Sequence, residues 1–321
     1  MNAPRITLVM LAALAVVCST ACNRPEGTRI VVIPKATAHA FWQTVHAGAR
    51  AAGRESGVEI EWLGPPAETD FARQIEIVDS AITSRADGIV LAPTEATSLA
   101  GVVERAAREG IPLVVFDSGI DSEAYVSFVA TDNYEAGVKA ARELGVLLAG
   151  KGAVAMVKNV AGSSSTMQRE KGFEDTLAAE FPEIEKVAEQ YCGSDVAKAL
   201  AAAENILTAH PNLNGLFASN EPATVGAGRA LRGREMAGRV KFVGFDFSEP
   251  IEDDLRAGVV DALIVQDPFN IGYQAVQAVL AKIAGETPAK RIDTPAAVVT
   301  RENVDTPEID QLVHPDLTRG S

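Results

Sequence analysis

Apolar and polar positions along the chain alternate between two periods. Short runs rich in β-branched residues, most of them ending in a polar residue or proline, recur at Arg29–Pro34, Val58–Leu63, Gly88–Pro93, Pro112–Asp117, Tyr125–Ala130, Ala153–Asn159, Leu213–Ser219, Val240–Asp246 and Leu263–Asp267. Runs of this kind read as strands buried on both faces. Between them lie segments of helical period, such as His39–Glu55, Thr69–Ser84, Thr97–Glu109 and Tyr134–Leu148. In the second of these Phe71, Ile75, Val78 and Ile82 share one face, with charge opposite. A long helix over Ile271–Ala284 and a late strand over Pro295–Thr300 close the pattern.

Regular alternation of strand and helix predicts an α/β fold with doubly wound parallel sheets. There are more strands than one domain of this length holds comfortably. A break near Thr131–Asp132 and a second run of alternation to Gln266–Asp267 divide the chain into two similar lobes with a cleft between them.

Composition changes this picture little. The 321 residues are 47% hydrophobic and 22% charged, enough apolar surface for two cores. Charge adds an exclusion, because a net −14 argues against a polyanionic partner such as nucleic acid. Arg5, the apolar run Ile6–Val17 and the sequence CSTACN read as an export signal followed by a cysteine. Residues 1–21 resemble a lipoprotein signal peptide, with Cys22 the lipidated residue, Cys18 the weaker candidate and 22–28 a tether. This predicts a membrane contact through a lipid anchor alone. With the signal removed, Cys192 has no internal disulfide partner, and the four histidines fall in no metal-binding spacing.

The candidate chemistry sits where strands end. GKGAVA at Gly150–Ala155 precedes a strand instead of following one, so it reads as a turn and not as a dinucleotide fingerprint. AGSSS at Ala161–Ser165 reads as a helix N-cap, and no GxSxG elbow is present. No cofactor and no catalytic constellation is predicted. Asp117, Asn220, Asp246 and Gln266 each end a strand, Arg169 lies on the helix after Asn159, and Phe41 and Trp42 open the first helix. Ligands of open α/β sheets sit at the carboxyl edge of the strands. Carboxylates and amides suit neighbouring hydroxyls, and aromatics suit the apolar face of a sugar ring. Each residue also has an ordinary reading as cap, core or surface charge; Asp246 in particular could cap the following helix.

HAFWQTVHAGA, ADGIVLAPTEA, IPLVVFDSG, ATDN, AGSSSTMQREKGF, ILTAHPNLNGLFASNEPATVGAGRAL, FVGFD and VQDPFNIGYQA together resemble the ribose-binding type of periplasmic sugar-binding protein, the type I solute receptors of ABC importers. The resemblance covers roughly Arg29 to Thr300. It implies two lobes joined by a three-crossing hinge, with 29–131 plus 267–295 in the first and 132–266 plus 296–321 in the second. It also implies a monomer that traps a monosaccharide, polyol or sugar acid and passes it to a permease and its ATPase, or alternatively a sensor signalling to a histidine kinase or chemoreceptor. The implied ligand contacts are His39, Phe41, Trp42, Asp117, Arg169, Asn220, Asp246 and Gln266. Lys35, Ser118 and Ser194 stand at contact positions where this sequence departs from the family pattern. A positive charge moves from the loop after strand four to that after strand one, which opens the way to a hexose or a sugar acid.

Overall fold

The computed structural model describes residues 27–318. Residues 1–26, where the export signal and the anchor cysteine are expected, with Cys18 and Cys22, lie outside them. The first sheet contains β1 (Arg29–Ile33), β2 (Glu59–Trp62), β3 (Gly88–Leu91), β4 (Leu113–Phe116) and β5 (Phe128–Thr131). The second contains β6 (Lys151–Lys158), β7 (Glu183–Tyr191), β8 (Gly215–Ala218), β9 (Lys241–Phe245) and β10 (Ala262–Gln266). Two late strands complete them, β11 (Arg291–Thr294) on the first and β12 (Ala296–Thr300) on the second.

The strand orders are β11-β5-β4-β3-β1-β2 and β12-β10-β9-β8-β6-β7, so the two lobes share one topology. All ladders are parallel except that β12 runs antiparallel to β10. The chain passes between the sheets after β5, after β10 and between β11 and β12, where Pro295 alone separates the two strands. Thr131 and Thr294 meet at this hinge, their hydroxyls 3.4 Å apart.

Side-chain alternation decides which helices cover each face. In β1, Ile30 and Val32 pack with α1 (Ala40–Ser56) and α9 (Pro268–Ile283). Val31 and Ile33 pack with α2 (Phe71–Thr83) and α3 (Ala100–Arg108). In the second lobe Val154, Met156, Phe217 and Phe245 face α4 (Asn133–Leu147) and α5 (Ser164–Glu180). Ala155, Val157, Leu216 and Phe242 face α6 (Val196–Ala209), α7 (Glu221–Gly233), α8 (Glu249–Ala257) and the short α10 (Pro307–Val313).

Helices touch backbone to backbone at glycines in both lobes. A Cβ on Gly48 of α1 would lie 1.9 Å from the Phe269 carbonyl oxygen, and one on Gly137 of α4 would lie 2.0 Å from that of Arg169. Only glycine permits so close an approach.

β7 and β11 carry no signal in the apolar pattern. Both are edge strands, and β7 is largely exposed, so neither needs the apolar run that marks a covered strand. The fifth strand begins at Phe128, three residues later than its pattern suggests.

Candidate functional site

The carboxyl edges of the two sheets face each other across a small pocket with a cavity volume of about 20 Å3. The first lobe supplies Lys35, His39, Phe41, Trp42, Glu68 and Asp117. The second supplies Asn159, Ser165, Thr166, Arg169, Asn220, Glu221, Pro222, Asp246 and Gln266.

Asp117 and Asp246 follow β4 and β9 directly and are both buried. Asp246 Oδ1 accepts from Gln266 Nε2 at 2.8 Å, and Oδ2 accepts from the Glu221 backbone N–H at 3.1 Å. It therefore binds the first turn of α7, whereas the N-cap position of α8 belongs to Ser248. Burial pushes the Asp246 carboxyl up, and Asp117 adds to this, while Arg169 and the two hydrogen bonds pull it down; the net direction is up.

Arg169 does not bridge two carboxylates. Its Nε donates to Asn133 Oδ1 at 2.8 Å and its Nη1 to the Ser219 carbonyl at 3.0 Å, while its guanidinium lies 3.8 Å over the Phe245 ring. Burial lowers its pKa, and the field of Asp246 and Asp117 opposes that shift. The arginine thus acts on the aspartates through space, and its unused N–H groups remain for a ligand.

Lys35 follows β1 and is as buried as its partner, both side chains being 3% exposed. Its ammonium lies 2.7 Å from Asp117 Oδ2 and donates to Ser165 Oγ at 2.9 Å and Ser163 Oγ at 3.2 Å. Of its three N–H donors two go to the serines, and the charge is met by the Asp117 ion pair before any ligand enters.

Ser118 and Ser194 do not line the pocket. Ser118 Oγ accepts from the Ser165 N–H at 3.0 Å, across the cleft. Ser194, in a left-handed conformation, accepts from Asn220 Nδ2 at 3.2 Å. Asn220 reaches the pocket and also caps α7, its Oδ1 accepting from the Ala223 N–H at 3.2 Å. Trp42 packs edge-on against Phe41 and Phe116, with ring centroids 4.9 and 6.2 Å away.

Six pocket residues are absent from the contacts predicted from sequence: Glu68, Asn159, Ser165, Thr166, Glu221 and Pro222. Glu68 accepts from Trp42 Nε1 at 3.0 Å and from Asn159 Nδ2 at 3.1 Å, with His39 Nδ1 3.7 Å away. Burial alone would raise its carboxyl, but His39, Lys35 and Asn159 hold it down at about 2. His39 is shifted reciprocally: burial lowers it, and Glu68, Glu221 and Asp246 more than reverse that, so its pKa is raised. Asn159 directly follows β6 and is marked by the strand-end signal that marks Asp117. Glu221 hides behind its ordinary place at a helix start, and Glu68 lies in a proline-rich loop with no strand signature.

Asp117 Oδ2, which is ion-paired with Lys35, and the amide oxygens Asn159 Oδ1 and Gln266 Oε1 are buried without a hydrogen-bond partner. The amide nitrogens are committed to Glu68 and Asp246, so both amide oxygens are available as acceptors in the pocket. The arrangement can receive hydroxyl hydrogens from both lobes and offer the Arg169 guanidinium in return. Among the described residues, no group of three or more histidine, cysteine or acidic side chains is placed to hold a metal ion.

The profile of the periplasmic binding protein domain matches residues 30–287. The chain belongs to that family. It is 32% identical over 314 residues to the D-ribose/D-allose-binding protein of Pseudomonas aeruginosa, covering 89% of this chain and 97% of that one. Identity to the D-allose-binding periplasmic protein of Escherichia coli is 29% over 249 residues, covering 75% and 80%. Among solved structures, a carbohydrate transporter solute-binding protein from Agrobacterium radiobacter, in complex with D-arabinose, superposes with a TM-score of 0.88 at 35% identity, covering 90% of this chain and all of that one. An ABC transporter solute-binding protein from Agrobacterium vitis with bound D-fucose gives 0.87 at 34%, covering 89% and 100%. Two α/β lobes closing on a cleft are the shared architecture of this family.

Proposed function

We propose that this protein is a non-catalytic, extracytoplasmic receptor that traps a monosaccharide between its lobes and delivers it to an ABC importer. The observation that carries the reading is the set of buried acceptors without a hydrogen bond in the interlobe pocket, Asp117 Oδ2 from the first lobe and Asn159 Oδ1 and Gln266 Oε1 from the second. A buried acceptor without a partner costs free energy, about 1–3 kcal/mol, which a hydroxyl donor recovers. Sugars carry such donors in dense array, and Phe41 and Trp42 supply an apolar wall beside them. The sugars held by the solved relatives have this chemistry.

Binding requires contacts on both lobes, and these exist together only when the cleft is shut, so ligand shifts the population to the closed form. The contact set comprises His39, Phe41, Trp42, Asp117, Arg169, Asn220, Asp246 and Gln266, with Asn159 and Glu68 added. Ser118 and Ser194 support it from behind, and Lys35 lines it while ion-paired with Asp117. With the Lys35 charge already paired, a neutral sugar fits the site better than a sugar acid.

A thermal-shift screen of D-ribose, D-allose, D-arabinose, D-fucose and their sugar-acid counterparts tests this. A sugar at a thousandfold excess over Kd raises stability by about 4 kcal/mol. If no neutral sugar moves the melting temperature, the reading fails. The export assignment has its own test. Cys22→Ser is expected to move the protein from the membrane to the soluble periplasmic fraction, and retention at the membrane overturns Cys22 as the anchor.

A further inference from the structure

Helix α1 has an unusual N-terminus. Its N-cap residue, His39, makes no side-chain capping bond. Its first amides are satisfied from the other lobe: Glu221 Oε2 accepts from the Phe41 N–H at 3.0 Å, and Oε1 accepts from the Ala40 N–H at 3.4 Å. A carboxylate at a helix N-terminus is favoured both by the free N–H groups and by the helix dipole. The Glu221 backbone N–H meanwhile holds Asp246 Oδ2. One residue therefore grips a ligand-facing aspartate with its main chain and the opposite lobe with its side chain.

Lys35 makes the reciprocal contact from the first lobe. Its ammonium lies against Asp117 and reaches Ser163 and Ser165 at the start of α5. Helices α1 and α5 each follow the first strand of their own lobe. Each is thus engaged at its N-terminus by a residue of the other lobe that also holds that other lobe's aspartate.

We propose that Glu221 and Lys35 are positioning residues, a pair of interlobe latches that make closure and the placement of the two aspartates a single event. The latches act through protein groups alone, so part of the closed population forms before any ligand arrives. The inference rests on reading the interlobe pocket as the ligand site, but its decisive test needs no ligand.

Hydrogen exchange of the ligand-free full chain reads the cap directly. In Glu221→Ala the Ala40 and Phe41 amides, which belong to the opposite lobe, are expected to exchange roughly fivefold to tenfold faster. Glu221→Gln, which keeps the shape and one acceptor oxygen, is expected to give a smaller increase and serves if the alanine variant fails to fold. A purely local role for Glu221 would alter exchange only within α7. Unchanged exchange at Ala40 and Phe41 in both folded variants overturns the latch. A second arm measures association and dissociation of D-ribose, D-allose, D-arabinose and D-fucose. A working latch raises the dissociation rate several-fold with little change in association; an unchanged dissociation rate counts against it. If none of these sugars binds the unmodified protein, the sugar reading falls, while the exchange result still decides whether the lobes are latched.

Discussion

Asp117 and Asp246 hold the same place in the two lobes, and both adopt the left-handed backbone region, with φ of 59° and 66°. Each amide donates to the neighbouring strand at 2.9 Å, Asp117 to the Val129 carbonyl and Asp246 to that of Ile264. The chain is thus tied to the sheet at the residue where it turns away. Left-handed backbone costs most residues free energy, and short polar side chains tolerate it best. The same local distortion, at equivalent positions, aims one carboxylate from each sheet into the cleft.

That geometry separates two substitutions of Asp246. Asp246→Asn keeps a side chain suited to positive φ and one acceptor, so the ligand-free melting temperature should stay close to that of the unmodified protein. Asp246→Ala loses both, and is expected to cost about 1 kcal/mol of stability and roughly a hundredfold in sugar affinity. Melting curves and calorimetric titration check this; full affinity in the alanine variant would reduce Asp246 to a structural role.

Removing Lys35 leaves the Asp117 carboxylate buried and unpaired. Lys35→Met is expected to lose about 3 kcal/mol of stability and to weaken all sugars together without reordering them. Adding Asp117→Asn to it should restore much of the stability. Denaturant unfolding measures both. A change in the ranking of neutral and acidic sugars would mean that the lysine addresses the ligand after all.

Glu68 and His39 give opposite pH dependences. The folded Glu68 carboxyl, near 2, lies below its ordinary 4.5. Its contribution, roughly 3 kcal/mol, is therefore present above pH 4.5 and lost as the pH falls from there towards 2. His39 is raised above 6.5, so its contribution is present below 6.5 and lost as the pH rises through its folded value. Unfolding free energies of Glu68→Gln and His39→Ala against pH should converge on those of the unmodified protein at the acid and alkaline ends respectively. A Glu68→Gln difference that persists unchanged down to pH 2 would contradict the assignment.

Gly137→Ala tests whether Arg169 is set from outside the pocket. The added methyl meets the Arg169 carbonyl, so α4 and α5 must separate. An overpacking cost of about 1–3 kcal/mol is expected, with lower sugar affinity although residue 137 touches no ligand. Unchanged affinity alongside reduced stability would show that the guanidinium is held by Asn133 and Ser219 alone.

The lobes are legible in the sequence because covered parallel strands must be apolar on both faces, as in LVVF of β4 and ALIVQ of β10. The edge strands β7 and β11 lack that requirement, and no pattern marks them. In the site, a polar residue closing an apolar strand stands out, so Asp117, Asn220, Asp246 and Gln266 emerge together. Glu68 does not, because a loop glutamate looks the same in sequence whether it is solvated or, as here, hydrogen-bonded to Trp42 and Asn159. Lys35 is visible as a residue, but its partners are not. Two of its donors go to Ser163 and Ser165, well over a hundred positions away.

The late strands carry a consequence for how the chain matures. β11 pairs with β5, and the apolar face of α9, with Ile271, Ala275, Val276 and Val279, fills the core of the first lobe. The lobe begun at residue 29 therefore lacks a layer until residue 294 has emerged, and the second lacks its edge until residue 300. Neither half can reach its final form on a growing or partly threaded chain. A polypeptide that must cross a membrane unfolded gains from this ordering, because completion of both halves waits for the same last stretch of sequence.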